Sequence, residues 1–437
     1  MTTKRATRRT FLRRAGAALV GGVAAPYVIT SRALGDATTP PAGERVALAH
    51  IGVGNRGGGL LGTFLALPEA RSVAVCDCFR SRREAAAQAV NAHYAAQAGA
   101  GSDGGCVPYG DFRELVARPD IDAVVIATHD VWHVPLALIC ARAGKDVYVE
   151  KPLGMSIEQG RVAREVIRRY GTVFQYGTQQ RSLAHCRFGC ELVRNGRIGQ
   201  VQAIEVVSPG GGHGGSTVVI PVPEDLDYER WLGPAPWSPY TEHRCTDRGG
   251  FWVYDNSIGF LAGWGSHPLD ILDWAWGSDE MMPVECEGTG VIPTEGLYDT
   301  VETWDVQYRY PNGVPLRFLG GGEDSTKFVG SEGWVDIRRS GLTTEPKSLL
   351  STVIGPAEVR LPRSDDHSRD FVTAVRTRRP AITNIGSAAR SDTISHLGDI
   401  AIRRGRQIRW DPAAGTIVGD EAAQRMLSRP MRSPWHL

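Results

Sequence analysis

Over the first third of the chain, short apolar runs alternate with longer amphipathic stretches. Val46 to Val53, Ser72 to Cys76, Ile121 to Ala127 and Asp146 to Val149 are nearly unbroken apolar segments, as strands buried on both faces should be. Between them lie helical stretches at Gly58 to Leu67, Arg80 to Gln97, Asp111 to Arg118 and Pro135 to Ala143. Ala98 to Gly105 is rich in Gly and Ser and reads as a loop. Strand and helix in regular alternation predict a parallel, doubly wound α/β sheet.

After Val173 to Tyr176, a further short strand, the pattern changes. Ala184 to Asn195 reads as a helix and Val201 to Ser208 alternates like a half-buried strand. Val301 to Tyr310, Val314 to Leu319 and Gly333 to Arg338, with Pro311-Asn312-Gly313 as a turn, predict an open, mostly antiparallel sheet in an α+β second domain. A helix is expected from Asp366 through Arg376. Gly210 to Gly215, with His213 at its centre, is either a cover for a site or simply a loop.

The formal net charge of +1 gives no reason to expect a nucleic-acid partner. The eight cysteines lack the paired spacing of a zinc site, so no metal is expected. Arg8-Arg9-Thr10-Phe11-Leu12, followed by the mild apolar run Ala15 to Ala25, has the form of a twin-arginine export signal. A basic tail is the plainer alternative. The signal reading assigns residues 1–35 to a leader cut after Ala25 or Gly35, and residues 36–44 to a flexible spacer. It implies a periplasmic or extracellular protein, with no membrane contact beyond export.

The candidate chemistry starts where the first strand ends, at Gly52-Val53-Gly54-Asn55-Arg56-Gly57. Glycine is needed for the tight turn, for backbone approach to a pyrophosphate, and for close packing of helix on strand. Glycine-rich turns are common. This one lies between strand and helix, and the second strand ends in Asp77, whose carboxylate would take the ribose hydroxyls of NAD. The acid disfavours a 2′-phosphate, while Arg80, Arg82 and Arg83 keep NADP open. Thr128-His129-Asp130 ends the third strand, His133 opens the next helix, and Glu150-Lys151-Pro152 ends the fourth. A lysine at such a strand end can present an ammonium to a substrate, or can be a solvated surface group.

This ordered set resembles the Gfo/Idh/MocA family of sugar and polyol oxidoreductases, of which glucose–fructose oxidoreductase and inositol dehydrogenase are members. The resemblance implies a Rossmann domain over residues 45–172 and an α+β substrate and oligomerisation domain over 173–365. Residues 366–437 would form a helical section packing back on the first domain. NAD would be held by Gly52, Gly54, Asn55, Arg56, Gly57 and Asp77. Thr128, His129, His133, Glu150, Lys151 and Gln179 would border its nicotinamide end, with Arg181 a further candidate.

In the segment Gly263-Trp264-Gly265-Ser266-His267-Pro268-Leu269-Asp270, the family pattern aligns His267 with a histidine that faces the hydroxyl being oxidised. Lys151 and His267 are thus the expected catalytic pair. The sequence departs from the pattern twice: His129 stands where proline is usual, and Gly263 where an aspartate is. Asp270, three residues after His267, or Asp255 is the expected substitute acid. Six of the eleven tryptophans lie between Trp231 and Trp276; most are expected in the core, with one or two facing a sugar.

Three functions follow as expectations. The first is hydride transfer between a tightly held NAD(P) and a sugar or polyol. The second is a redox-neutral glycosidase or lyase working by oxidation, elimination and addition. The third is a sugar-binding protein without catalysis. A homo-oligomer is expected in each case.

Overall fold

The computed structural model describes residues 40–98, 105–246, 249–277 and 281–437. The Arg8-Arg9 signal and both cleavage positions lie outside the described residues. Of the expected spacer, Ala42–Glu44 forms one 3-10 turn.

The first sheet is built on β1 (Val46–Ile51), which leads through a glycine turn into α1 (Asn55–Leu65). Then come β2 (Ala70–Cys76), α2 (Arg80–Ala98) and β3 (Val107–Tyr109). β4 (Ala123–Ile126), α3 (His133–Arg142), β5 (Asp146–Val149), α4 (Ile157–Arg169) and β6 (Phe174–Tyr176) complete it. Among the described residues the six strands pair in the order β3-β2-β1-β4-β5-β6, all parallel. Every residue of β4 and β5 is buried, which explains their largely apolar sequence; the buried Asp146 that opens β5 accepts from Val173 N at 2.8 Å. The order reverses between β1 and β4, and ligands bind beyond the strand ends at such a switch point.

α5 (Ala184–Arg194) leads into β7 (Val201–Ser208), which founds the second sheet. A long excursion follows, carrying the short helix α6 (Tyr228–Leu232) and then α7 (Ser266–Trp276). The chain then adds β8 (Glu285–Val291), β9 (Thr303–Arg309), β10 (Pro315–Gly320), β11 (Ser325–Gly330), β12 (Trp334–Ile337) and β13 (Leu342–Glu345). Neighbours are antiparallel except β7 and β10. One face buries Val206, Val306, Leu316, Phe318 and Phe328 against the helices, while the other presents Gln307, Arg309 and Arg317. That two-sided character produced the alternating pattern.

The 366–437 section is more than helical. α8 (His367–Thr377) starts on the Asp366 side chain, and its Phe371 meets Phe64 and Tyr148 edge-on against the first sheet. α9 (Ile385–Arg404) is capped by Asn384 and stops at Gly405 in the left-handed region. The chain then returns to the second sheet as β14 (Ile408–Asp411) and β15 (Thr416–Val418). The expectation of a purely helical section is corrected here. Ile408 and Trp410 point inward while Arg409 faces out, and Ile408 pairs with Cys286 of β8. That alternation is too short to stand out in sequence.

Candidate active site

The glycine turn after β1 is fixed by crowding. Gly52 has φ +83°, and a Cβ there would lie 2.5 Å from the Ala127 carbonyl oxygen. A Cβ on Gly57 would fall 1.9 Å from the Gly52 carbonyl oxygen. Only glycine lets α1 begin this close to the strand. Gly54 has no side chain to cap α1, and the helix N-terminus borders the cavity, where its dipole favours an anion.

The cavity at this switch point has a volume of about 230 Å³. Gly52, Gly54, Asn55, Arg56, Asp77 and Thr128 are among the residues that line it. Asp77 Oδ2 accepts from Val53 N at 2.9 Å and Oδ1 from Phe79 N at 2.9 Å. Each oxygen keeps a lone pair for a ribose hydroxyl. Burial raises the Asp77 pKa, and those two N–H groups oppose the rise. The Arg82 guanidinium lies 4.0 Å over the Phe79 ring, on the cavity wall.

The cavity is covered by polypeptide from the excursion after β7, a feature the sequence did not reveal. Leu226 bridges Phe79, Asp225 accepts from Ser81 N at 2.8 Å, and Asp227 N donates to Cys78 O at 3.1 Å. From α6, Arg230 Nη1 donates to Gly110 O at 2.9 Å, and Trp231 stacks on His129 with centroids 4.4 Å apart and planes 14° off parallel. This strap is pinned in turn by residues far along the chain. Arg432 Nη2 donates to Gly233 O at 2.8 Å and its Nε to Ala235 O at 3.1 Å. Trp435 packs edge-on to Trp132 at 4.7 Å.

His129 is half-buried, with its Nε2 buried and unpartnered among the described residues, and burial pushes its pKa down to about 3. It is a neutral imidazole on the cavity wall, able to hydrogen-bond a ligand. The glycine cradle, the α1 N-terminus, Asp77 and this orphaned nitrogen together fit a dinucleotide.

The reacting end adjoins the cavity through Phe251, whose ring centroid lies 5.7 Å from Lys151 Nζ. Lys151 follows β5, and its peptide bond to Pro152 is cis. Burial lowers its pKa, while the charges of Glu150 and Asp130 work to restore it. Glu150 is held by Arg56, with Nε at 2.9 Å and Nη2 at 2.8 Å from Oε1. Asp130 is buried, accepts from the Ser257 hydroxyl at 2.5 Å, and is pushed up by burial to about 7. Its carboxylate faces the Lys151 charge, a role that spacing alone did not assign.

His267 sits near the start of α7 with Nδ1 buried and unpartnered among the described residues. Burial, then the charges of Lys151 and Arg339, hold its pKa well below the usual value, so the ring is neutral. Trp264 meets it edge-on at 5.1 Å.

Five expected residues, Asp270, Arg181, Asp255, His133 and Gln179, stand elsewhere. Asp270 does share the first turns of α7 with His267, yet its carboxylate turns to Arg181, with Nη2 to Oδ1 at 2.6 Å and Nε to Oδ2 at 2.8 Å, and to Thr178 Oγ1 at 2.8 Å. A fully buried acid is captured by the guanidinium that neutralises it; Asp270 is a structural anchor, as is Arg181. Asp255 is exposed and supplies no substitute acid.

His133 points into the protein, its Nδ1 2.6 Å from Pro152 O and its Nε2 3.2 Å from Thr128 O. Burial keeps it neutral, so the shorter contact takes its single proton. It ties the two loops together and does not line the cavity. Gln179 opens a 3-10 turn after β6, half-buried and outside the cavity lining.

This arrangement defines an NAD-binding oxidoreductase: a dinucleotide cradle with a lysine and a neutral histidine at its open end. The family profile for an oxidoreductase NAD-binding Rossmann fold matches residues 46–178, and that for the oxidoreductase C-terminal alpha/beta domain matches residues 213–437. The chain belongs to the Gfo/Idh/MocA oxidoreductase family, and NAD is its cofactor.

A glycosyl hydrolase family 109 protein of Saccharopolyspora erythraea is 40% identical over 119 residues, which is 26% of this chain and 24% of that relative. One from Shewanella baltica is 31% identical over 163 residues, 35% of each chain. The aligned part thus spans about a quarter to a third of these curated relatives.

Among solved structures, scyllo-inositol dehydrogenase from Lactobacillus casei with NAD(H) and scyllo-inositol superposes with a TM-score of 0.57 at 16% identity, covering 84% of this chain and 99% of that one. The aldose-aldose oxidoreductase of Caulobacter crescentus complexed with glycerol gives 0.59 at 18% identity, covering 84% and 99%. At such identities the likeness concerns the fold.

Proposed function

We propose that the protein exchanges a hydride between NAD and a hydroxyl-bearing carbon of a sugar or polyol. The observation that carries this reading is the electrostatic interaction of Lys151 with both Asp130 and His267, beside Phe251 of the cavity wall. NAD, when bound, supplies the redox chemistry. Neutral His267, with a free ring nitrogen, takes or returns the hydroxyl proton. Lys151 donates to the same oxygen and stabilises negative charge developing there. Asp130 balances the ammonium, and Phe251 and Trp264 give the sugar its apolar walls.

The test is to purify the protein without added cofactor, release and identify its nucleotide, and follow absorbance at 340 nm while sugars and polyols are added. Lasting reduction supports the reading. Nucleotide with no spectral change and no product defeats it.

A second reading is redox-neutral cleavage by oxidation, elimination and addition, and the names of the glycosyl hydrolase family 109 relatives favour it. Product formation without net reduction separates it from the first. The twin-arginine pattern supports work outside the cytoplasm, and fractionation of cells carrying the intact or Arg8-Arg9→Lys-Lys protein checks that. Exposed Val218, Val219 and Val222 support self-association, which light scattering measures.

A further inference from the structure

The turn joining β12 to β13 carries two adjacent arginines with different surroundings. Arg338 is fully engaged: Nε donates to Asp336 Oδ2 at 2.9 Å, Nη1 to Glu323 Oε2 at 2.8 Å, and its carbonyl oxygen lies 3.0 Å from His185 Nε2. Arg339 is anchored only through its backbone, whose N–H donates to Asp324 Oδ2 at 3.2 Å. That same oxygen accepts from Gln180 Nε2 at 2.9 Å. No carboxylate among the described residues forms an ion pair with the Arg339 guanidinium. It lies instead 4.6 Å over the Trp264 ring, and Trp264 in turn meets His267 at 5.1 Å.

Trp264 thus touches both the cation and the proposed proton acceptor, carrying Arg339 over its ring and meeting His267 edge-on. A guanidinium lying over an indole, with no carboxylate partner among the described residues, keeps its N–H donors for a ligand. Its residue is exposed, so those donors remain accessible from solvent. Arg339 does not line the nucleotide cavity, whose wall carries Arg56 and Arg82. The charge of Arg339 nevertheless reaches both Lys151 and His267, lowering the pKa of each.

We propose that Arg339, held on Trp264, binds an oxyanion on the substrate, so that the preferred ligand is an acidic sugar rather than a neutral one. This rests on the reading that a sugar is handled between Lys151 and His267. The anion is a ring-borne carboxylate or a phosphate ester; a forked guanidinium accepts either.

The test uses the full chain with its nucleotide. Isothermal titration with matched probes (glucose and glucuronate, galactose and galacturonate, and glucose 6-phosphate) gives the ratio of acidic to neutral affinity. One charge-assisted contact predicts a ratio of about ten or more in the wild type. Arg339→Gln should collapse that ratio to about one, and Arg339→Lys should retain part of it, since a point charge replaces the fork. The carboxylate and phosphate probes show which anion is read. Equal binding of neutral and acidic sugars, or a preference unchanged in Arg339→Gln, overturns the proposal. An Arg339-dependent acidic preference without reduction at 340 nm or product keeps this inference and defeats the hydride reading. Reduction by neutral polyols alone does the reverse.

Discussion

The two ends of the site are built by different means. At the nucleotide end, main chain dominates: glycine backbone, helix N–H groups, and a strap from α6 that is itself pinned through the backbone carbonyls of Gly233 and Ala235. At the reacting end, side chains dominate: Lys151, Asp130, His267, Trp264 and Arg339, brought together from four separate stretches. The complementarity of the first end resides largely in main chain that cannot rotate away. The second is shaped to exchange, with an exposed arginine at its mouth.

Substitutions should separate the ends. The largest effect is expected for Gly57→Val, whose Cβ would collide with the Gly52 carbonyl. Purified protein should carry no nucleotide, with circular dichroism confirming that the chain is folded. Lys151→Met should leave nucleotide content intact while turnover falls by about 10²–10³, as for loss of one donor to a developing oxyanion. Steady-state rates beside nucleotide content show whether the ends are independent. Trp435→Ala loosens the pinned strap without touching the reacting end. Losing one aromatic contact of about 0.5–1.5 kcal/mol predicts nucleotide release faster by up to about tenfold, read by dilution and fluorescence.

The smallest effect concerns pH. The Asp130 pKa is raised in the fold to about 7, from an ordinary carboxylate value. Its stabilising contribution is therefore full below the unfolded pKa and is lost as pH rises through about 7. Between pH 5 and pH 8 the melting temperature of the wild type should fall further than that of Asp130→Asn. Equal slopes would show that Lys151 fully compensates the buried charge.

This asymmetry also explains what could be read in the sequence. Gly52, Gly54, Gly57 and Asp77 act through local turns and strand ends, so their spacing carried the inference. Lys151 and His267 were marked by the resemblance to a family pattern. Asp270 was misjudged because helical spacing reports which residues share a face, not which guanidinium waits there; Arg181 lies 89 positions away in the chain. Arg339 depends on the register of β12 with β13 and of β11 with β7, long-range pairings that no short window encodes. The strap was hidden for the same reason, because Trp231 finds His129 only through the folded excursion.

The pinning of the strap has a consequence in time. The nucleotide cradle is made of residues synthesised early, the strap of residues that follow, and its fastening on Gly233 waits for Arg432, 199 positions later. During synthesis there is an interval in which the cradle exists and its cover is unlatched. The cover over the cradle is therefore fastened only when Arg432 and Trp435 have docked, so the last residues made complete a site begun by the first.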